Sequence, residues 1–321
     1  LVSDRAVVKV LHAATQDLEI FFHISGNKPE NIFDTQVAAA MLGLGSQISY
    51  AGLVDRALGV TVKKGEAYTD WLRRPLTKKQ EDYALNDVRY LLPIEEMMRK
   101  RLGELGRQSW ADEELCRFQN TELYLPSPRA VYSKVKRSGT LDSKGLAVLR
   151  ELAHWRELEA RDVDKPRRKV ISDEILVEIA RSRPTELDQV RNVRGFHPRA
   201  ADRCAQDLLY AVERGCRVKP EDRPTKGKSF RLDKEGDLTA NFLDACLRAF
   251  CAEAELDHSM IGRSGDIEKL VQQHRSGKVK ESDHAMLQGW RGELVGRRLL
   301  SFLRGEVSVY MDPKSGQPHF D

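Results

Sequence analysis

Tyr83 and Asp87 stand four residues apart in a stretch with helical periodicity, so a phenol and a carboxylate project from one helix face about one turn apart. Asp17 follows soon after Ala6-Val7-Val8-Lys9-Val10-Leu11, an apolar, β-branched run that reads as a buried strand. Each residue alone has an ordinary explanation. Asp87 fits a solvated carboxylate beside an amphipathic tyrosine, and Asp17 fits the first turn of a helix, where the macrodipole favours negative charge. Together they suggest a site. A carboxylate just past the C-terminal end of a strand lies where α/β sheets place their ligands, and a second carboxylate with its phenol can converge on it.

The elements that must position these residues are partly legible. Leu18, Phe21 and Phe22 lie at helical spacing after the first strand, and Asn31-Ile32-Phe33-Asp34 predicts a second short strand. Helices follow over 36–42 and 49–58, the latter closed by Gly59. Thr77 with Gln80 forms a capping box for the helix that carries Tyr83 and Asp87, with Ala84, Val88 and Leu91 as its apolar stripe. Pro93 is expected to kink or break that helix. Residues 1–120 thus read as α/β.

Tyr124-Leu125-Pro126-Ser127-Pro128 is stiff and helix-averse, and helical periods alone follow it. Helices are predicted over 143–160, after a Ser172 cap with Asp173 and Glu174 in the first turn, and after a Thr185 cap behind Pro184. A fourth runs from Pro198 to Gly215 and buries Ala201, Cys204, Leu208 and Ala211. Residues 121–216 therefore read as an all-helical bundle with its leading linker. The charged stretch 217–236, with Pro220, Pro224, Gly227 and Gly236, reads as a second linker. Residues 237–311 read as a further small bundle, with stripes at Phe242, Cys246, Leu247, Phe250 and Cys251, at Ile267 and Leu270, and at Leu287, Trp290 and Leu294. The polar tail 312–321 is expected to be poorly ordered.

The 321 residues, 40% hydrophobic and 32% charged, suffice for two or three domains. No apolar run approaches the ~20 residues that a bilayer crossing needs. Five scattered cysteines without a CxxC pair indicate neither disulfides nor structural zinc, and a cytoplasmic protein is expected. The net charge of +4 permits a polyanionic partner without requiring one. Two local clusters are denser: Lys134-Val135-Lys136-Arg137 and Lys165-Pro166-Arg167-Arg168-Lys169. Each fits a solvated face or a phosphate contact.

His12-Ala13-Ala14-Thr15-Gln16-Asp17-Leu18-Glu19 and Tyr83-Ala84-Leu85-Asn86-Asp87-Val88-Arg89-Tyr90-Leu91 closely resemble the second and third exonuclease motifs of the ribonuclease D family, the latter in its tyrosine variant. Asp34-Thr35-Gln36 and Asp70-Trp71-Leu72-Arg73-Arg74-Pro75-Leu76 match the family between them. Farther on, Leu149 to Glu157, the Ser172-Asp173-Glu174 cap and the Gly195 turn resemble an HRDC (helicase and ribonuclease D C-terminal) domain. Gln288-Gly289-Trp290-Arg291-Gly292-Glu293-Leu294 is similar to a second, more divergent copy.

The resemblance implies an α/β ribonuclease H-like exonuclease domain followed by two all-α HRDC-type bundles. It implies a DEDD-type 3′-5′ exoribonuclease using two divalent cations, Mg²⁺ or Mn²⁺, held by hard carboxylate oxygens. Asp17 and Asp87 would be two of four such ligands, and Tyr83 would orient the attacking water. His12, Asp34 and Trp71 are read as architectural, Trp71 as a core anchor. Arg73 and Arg74 are candidate phosphate contacts, as are Lys134, Lys136, Arg137, Arg167, Arg168 and Lys169. The expected partner is RNA with a 3′ extension, with tRNA precursors as the family's usual substrates, and a monomer is favoured.

The family's first motif, an Asp-x-Glu on an early strand, has no match before His12, where Asp4 is the sole acid. Residue 1 is Leu rather than Met. The expectation is a chain lacking the start of its nuclease domain, inactive or nearly so by itself, with the full-length protein an exonuclease. Two other readings stay open. One is a DNA-directed 3′-5′ exonuclease, since the 2′-hydroxyl contact that selects RNA is not identifiable. The other is a non-catalytic nucleic-acid-binding protein acting through its helical bundles.

Overall fold

A strand, a helix and a second strand open the chain: β1 (Lys9–Leu11), α1 (Thr15–Ser25) and β2 (Ile32–Asp34). This computed structural model describes residues 1–62, 65, 69–124, 130–224, 232–314, 316 and 318–320. β1 and β2 pair in parallel, Lys9 opposite Ile32 and Leu11 opposite Asp34, so α1 is the crossover that parallel strands require. β2 is buried throughout, whereas β1 is half-buried and shorter than the run from Ala6 predicts. Lys9 explains the difference: its ammonium donates to the Asp4 and Val7 carbonyls and folds the preceding backbone into a turn that leaves Val7 and Val8 exposed.

Local chemistry sets the next helices. Asp34 caps α2 (Thr35–Met41) by accepting the Gln36 and Val37 amides. Ser49 caps α3 (Tyr50–Leu58), which ends at Gly59. The Thr77–Gln80 capping box opens α4 (Lys78–Arg89) as expected. The chain breaks at Tyr90, and α5 (Leu91–Glu104) begins with Pro93 in its first turn; α6 (Gln108–Cys116) follows. Ile94, Met98 and Leu102 bury one face of α5 against β1, α2 and α3. The stripe expected on α4 is exposed at Ala84 and Val88, because α5 supplies the packing face; on α1, Phe21 is exposed while Leu18 and Phe22 are buried.

The chain divides into two units: Leu1–Tyr124 with Leu232–Asp321, and Leu125–Arg231. The stiff stretch 125–128 and the linker positions 225–231 lie outside the described residues. The second unit holds α7 (Ser143–Asp162), the short α8 (Arg167–Val170), α9 (Asp173–Ser182), α10 (Leu187–Arg191) and α11 (Pro198–Cys216). Ser172 caps α9 as predicted. Thr185 does not cap α10; its amide donates to the Gln189 side chain, and Glu186 takes the N-cap position. Gly215, expected to terminate α11, lies inside it. A Cβ there would stand 2.4 Å from the Val148 Cα, so this glycine permits α11 to press against α7.

Returning to the first unit, the last segment forms α12 (Lys234–Glu253), α13 (Ser264–Arg275), α14 (Gly289–Arg291) and α15 (Arg297–Leu303), with a π-helical turn over Gly292–Gly296 between the last two. α12 begins within the expected linker, since Asp233 caps it through the Gly236 amide. Phe242, expected in the buried stripe, is exposed and lies 5.5 Å from the Phe302 ring. Part of the expected tail is ordered: β3 (Val309–Met311) pairs antiparallel with β4 (Pro318–Phe320).

Residues 237–311, read from sequence as a separate bundle, share one hydrophobic core with the first 124 residues. Trp110 stacks on Trp290 at 5.3 Å, and the Trp290 indole N–H donates to Glu114 at 3.1 Å. Arg107 donates to the Met41 and Ala254 carbonyls. Gly43, at φ 73°, comes so close to Glu255 that a Cβ would stand 2.1 Å from its carbonyl oxygen. The region carrying Asp17 and Asp87 thus rests on a frame to which the chain's last third contributes.

Candidate active site

The turn from β1 into α1 is built around Asp34. Its carboxylate accepts the amides of Ala13 at 3.1 Å and Ala14 at 2.8 Å while capping α2. His12, in the same turn, faces Thr35 Oγ1 at 2.9 Å through Nδ1 and the Ile48 carbonyl at 3.1 Å through Nε2. Burial lowers its pKa, so the ring is neutral at pH 7, and the carbonyl partner requires the proton on Nε2. His12 and Asp34 are therefore architectural, as the sequence suggested. Five residues past His12, Asp17 is exposed in the first turn of α1.

Tyr83 and Asp87 lie one turn apart on α4. The Gln80 side chain, buried, accepts from Thr77 and donates to Thr69 Oγ1 and the Asp70 carbonyl at 3.1 Å each, pinning the preceding loop to the helix start. That loop sets Trp71 against Tyr83, ring centroids 5.9 Å apart. Trp71 is half-buried, not the core anchor expected, since its ring covers the Tyr83 phenol and not the interior. Asp87 is exposed in the last turn of α4, yet its surroundings desolvate it enough to raise its carboxyl pKa.

Tyr50 links these parts and was not singled out in the sequence. Its ring meets His12 edge-on at 5.7 Å, and its hydroxyl donates to the Asn86 carbonyl at 2.9 Å and accepts the Tyr90 amide at 3.3 Å. Burial raises the phenol pKa, and the negative charge of Asp87 adds to the rise. Contacts thus run from the turn ahead of Asp17 to the turn that carries Asp87. The only hint in the sequence was a tyrosine directly after the Ser49 cap.

Among the described residues, neither the Asp17 nor the Asp87 carboxylate has a hydrogen-bond or ion-pair partner, whereas Asp34, Asp173 and Asp233 are all engaged. Among those residues, too, no three His, Cys, Asp or Glu side chains cluster closely enough to hold a metal ion unaided. Two free carboxylates and a phenol are hard oxygen donors. They suit an ion of the Mg²⁺ type, which takes one or two carboxylates and completes its shell with water and substrate phosphate. Arg73 and Arg74 are exposed; Arg74 spends one guanidinium nitrogen on the Trp71 and Arg73 carbonyls.

In the second unit the two basic clusters meet at Asp173, which the sequence marked only as a helix start. Its carboxylate pairs with buried Arg156 at 2.8 Å, accepts the Lys136 amide at 3.3 Å and lies 3.7 Å from Arg168. Burial pushes the Asp173 pKa up, but the Arg156 bond and its neighbours hold it below the ordinary range. Arg167 is tied to Glu157 at 3.1 Å, whereas Lys134, Arg137 and Lys169 are exposed and, among the described residues, have no ion-pair partner.

A family model described as 3′-5′ exonuclease matches residues 1–103, and one for the HRDC domain matches residues 145–212. The ribonuclease D of Sphingobium indicum is 37% identical over 310 residues, covering 96% of this chain and 78% of that protein. That of Zymomonas mobilis is 33% identical over the same shares. The crystal structure of Escherichia coli RNase D, described as an exoribonuclease involved in structured RNA processing, superposes with a TM-score of 0.79 at 28% identity, covering 95% of this chain and 81% of that one. With an exonuclease region, an HRDC region and this identity along nearly its whole length, the chain belongs to the ribonuclease D family of 3′-5′ exonucleases.

Proposed function

We propose that this ribonuclease D-family exoribonuclease removes 3′-terminal nucleotides at a site where Asp17 and Asp87 hold divalent cations and Tyr83 orients the attacking water. The observation that carries the assignment is the pair of solvent-facing, unpartnered carboxylates in the two motifs. What a bound cation supplies is neutralisation of the phosphate and stabilisation of the departing 3′-oxygen. The Tyr83 hydroxyl holds the water in line and helps direct its proton away, a role in which position matters more than acidity. Trp71 packed on its ring restricts where that hydroxyl can stand. Arg73, exposed beside it, is set to meet a backbone phosphate of the entering strand.

The substrate is RNA with a 3′ extension, tRNA precursors among them. The basic surface around Asp173 grips the flanking RNA through Lys134, Lys136, Arg137, Arg168 and Lys169, with Arg167 a lesser contributor because Glu157 already holds it. Residues 237–311 carry a second, divergent HRDC-type segment, packed into one core with the first 124 residues.

The test uses Mn²⁺ titrated into the ¹⁵N-labelled protein, whose paramagnetism broadens nearby amide signals even when binding is weak. Broadening centred on residues 17 and 87, lost in Asp17→Asn and Asp87→Asn, supports the site; broadening elsewhere or unaffected by either substitution removes it. A fluorescent single-stranded RNA incubated with the protein and Mg²⁺ should shorten one nucleotide at a time. A gel shift without shortening would favour the non-catalytic reading.

A further inference from the structure

The Tyr50 hydroxyl is inserted into the hydrogen-bond ladder of the helix that carries Asp87. It donates to the Asn86 carbonyl at 2.9 Å and accepts the Tyr90 amide at 3.3 Å. In an uninterrupted α-helix the Tyr90 N–H would reach the Asn86 carbonyl itself, four residues back. Here that rung is replaced by two bonds through a side chain from α3, and the Val88 carbonyl is the amide's other acceptor. Insertion of a side chain into the ladder is a recognised cause of helix interruption. Pro93, with no N–H to offer the Arg89 carbonyl, removes a later rung. The helix breaks at Tyr90, three residues past Asp87.

Pro93 alone does not account for the break, because it leaves the Tyr90 N–H free to bond Asn86. The hydroxyl of Tyr50 is what occupies both groups. Tyr50 is itself fixed: it is the first residue of α3 behind the Ser49 cap, and its ring packs on His12, which Thr35 and Ile48 hold. The last turn of α4 is thereby tied to the turn that follows β1, the same turn that leads to Asp17.

We infer that Tyr50 is a positioning residue for Asp87: by replacing one rung of the ladder it sets where α4 ends and so the direction in which the Asp87 carboxylate leaves the last turn. This rests on Asp87 being a metal ligand, as proposed above. Tyr50→Phe keeps the ring and its His12 contact but lacks the hydroxyl, so the Tyr90 N–H can return to the Asn86 carbonyl. The last turn then tightens and the carboxylate reorients.

The experiment compares Mn²⁺ line broadening in the wild-type protein, Tyr50→Phe and Asp87→Asn, with amide hydrogen exchange at Tyr90 and the melting temperature as further readouts. Tyr50→Phe is expected to raise the Mn²⁺ concentration for half-broadening around residue 87 roughly tenfold, the usual scale for losing a group that orients a metal ligand. Exchange at Tyr90 should change, with little change in melting temperature. If Asp87→Asn abolishes the broadening while Tyr50→Phe leaves its midpoint unchanged, the inference about Tyr50 is overturned. A lowered melting temperature with that unchanged midpoint marks Tyr50 as merely structural, which also overturns it. If Asp87→Asn itself changes nothing, it is the metal-ligand reading that fails.

Discussion

The carboxylate of Asp34 accepts the amide of Ala14 at 2.8 Å across twenty residues of chain. The same side chain accepts Ala13 at 3.1 Å and caps α2 through Gln36 at 2.8 Å, so one buried acid joins the turn after β1 to the helix after β2. Ala13 stands at φ 56°, a left-handed conformation costing a non-glycine residue on the order of 1 kcal/mol or more. The amides gathered by Asp34 offset that strain, and they hold the turn leading to Asp17.

Asp34→Ala should therefore cost about 3 kcal/mol, the sum of a lost cap and of buried amides left without their charged acceptor. Asp34→Asn should cost less, because one carbonyl oxygen remains to accept. Urea unfolding measures both; equal losses would show that the acceptor number is irrelevant.

Gly215→Ala places a methyl 2.4 Å from the Val148 Cα and 2.8 Å from its nitrogen, where neither helix has a flexible group to yield. Overpacking of this kind typically costs roughly 1–3 kcal/mol. Thermal unfolding followed by circular dichroism should show the loss, and an unchanged midpoint would mean that α7 and α11 separate without penalty.

His284 is buried and donates from Nε2 to the Asp266 carbonyl at 3.0 Å, and among the described residues its Nδ1 has no hydrogen-bond partner. Burial lowers its pKa below the ordinary histidine value of about 6.5, as it does for His12. The unfolded chain thus binds protons at a higher pH than the folded one. The histidine contribution to stability is complete above about pH 6.5 and is lost as pH falls from there towards the lower folded value. The melting temperature should decline over this window, before the carboxylates titrate, and the decline should be shallower in His284→Gln. A slope unchanged by that substitution would assign the effect to other groups.

Lys134, Arg137 and Lys169 are exposed within two residues of Lys136 or Arg168, which meet Asp173, and their joint replacement by alanine should weaken binding of single-stranded RNA. Three lost phosphate contacts would reduce the slope of log affinity against log salt by about 2. Fluorescence anisotropy at several salt concentrations reads this directly, and an unaltered slope would remove these residues from the RNA surface.

Much of this molecule is local in origin. The Thr77–Gln80 box, the Ser49, Ser172 and Asp34 caps and the spacing of Tyr83 and Asp87 each involve residues within a few positions of one another, so residue order alone specifies them. The motifs around Asp17 and Asp87 were readable for the same reason. Packing faces were less so: Val88 and Phe242 have the right period yet stay exposed, and Trp71 covers Tyr83 and not the interior. The Tyr50 insertion beside Asp87 spans 36 residues, the meeting of two basic clusters at Asp173 spans 37, and Gly215 matters because α11 lies on α7. Such relations depend on which surfaces the folded chain brings within hydrogen-bond or van der Waals range, and periodicity carries no record of that.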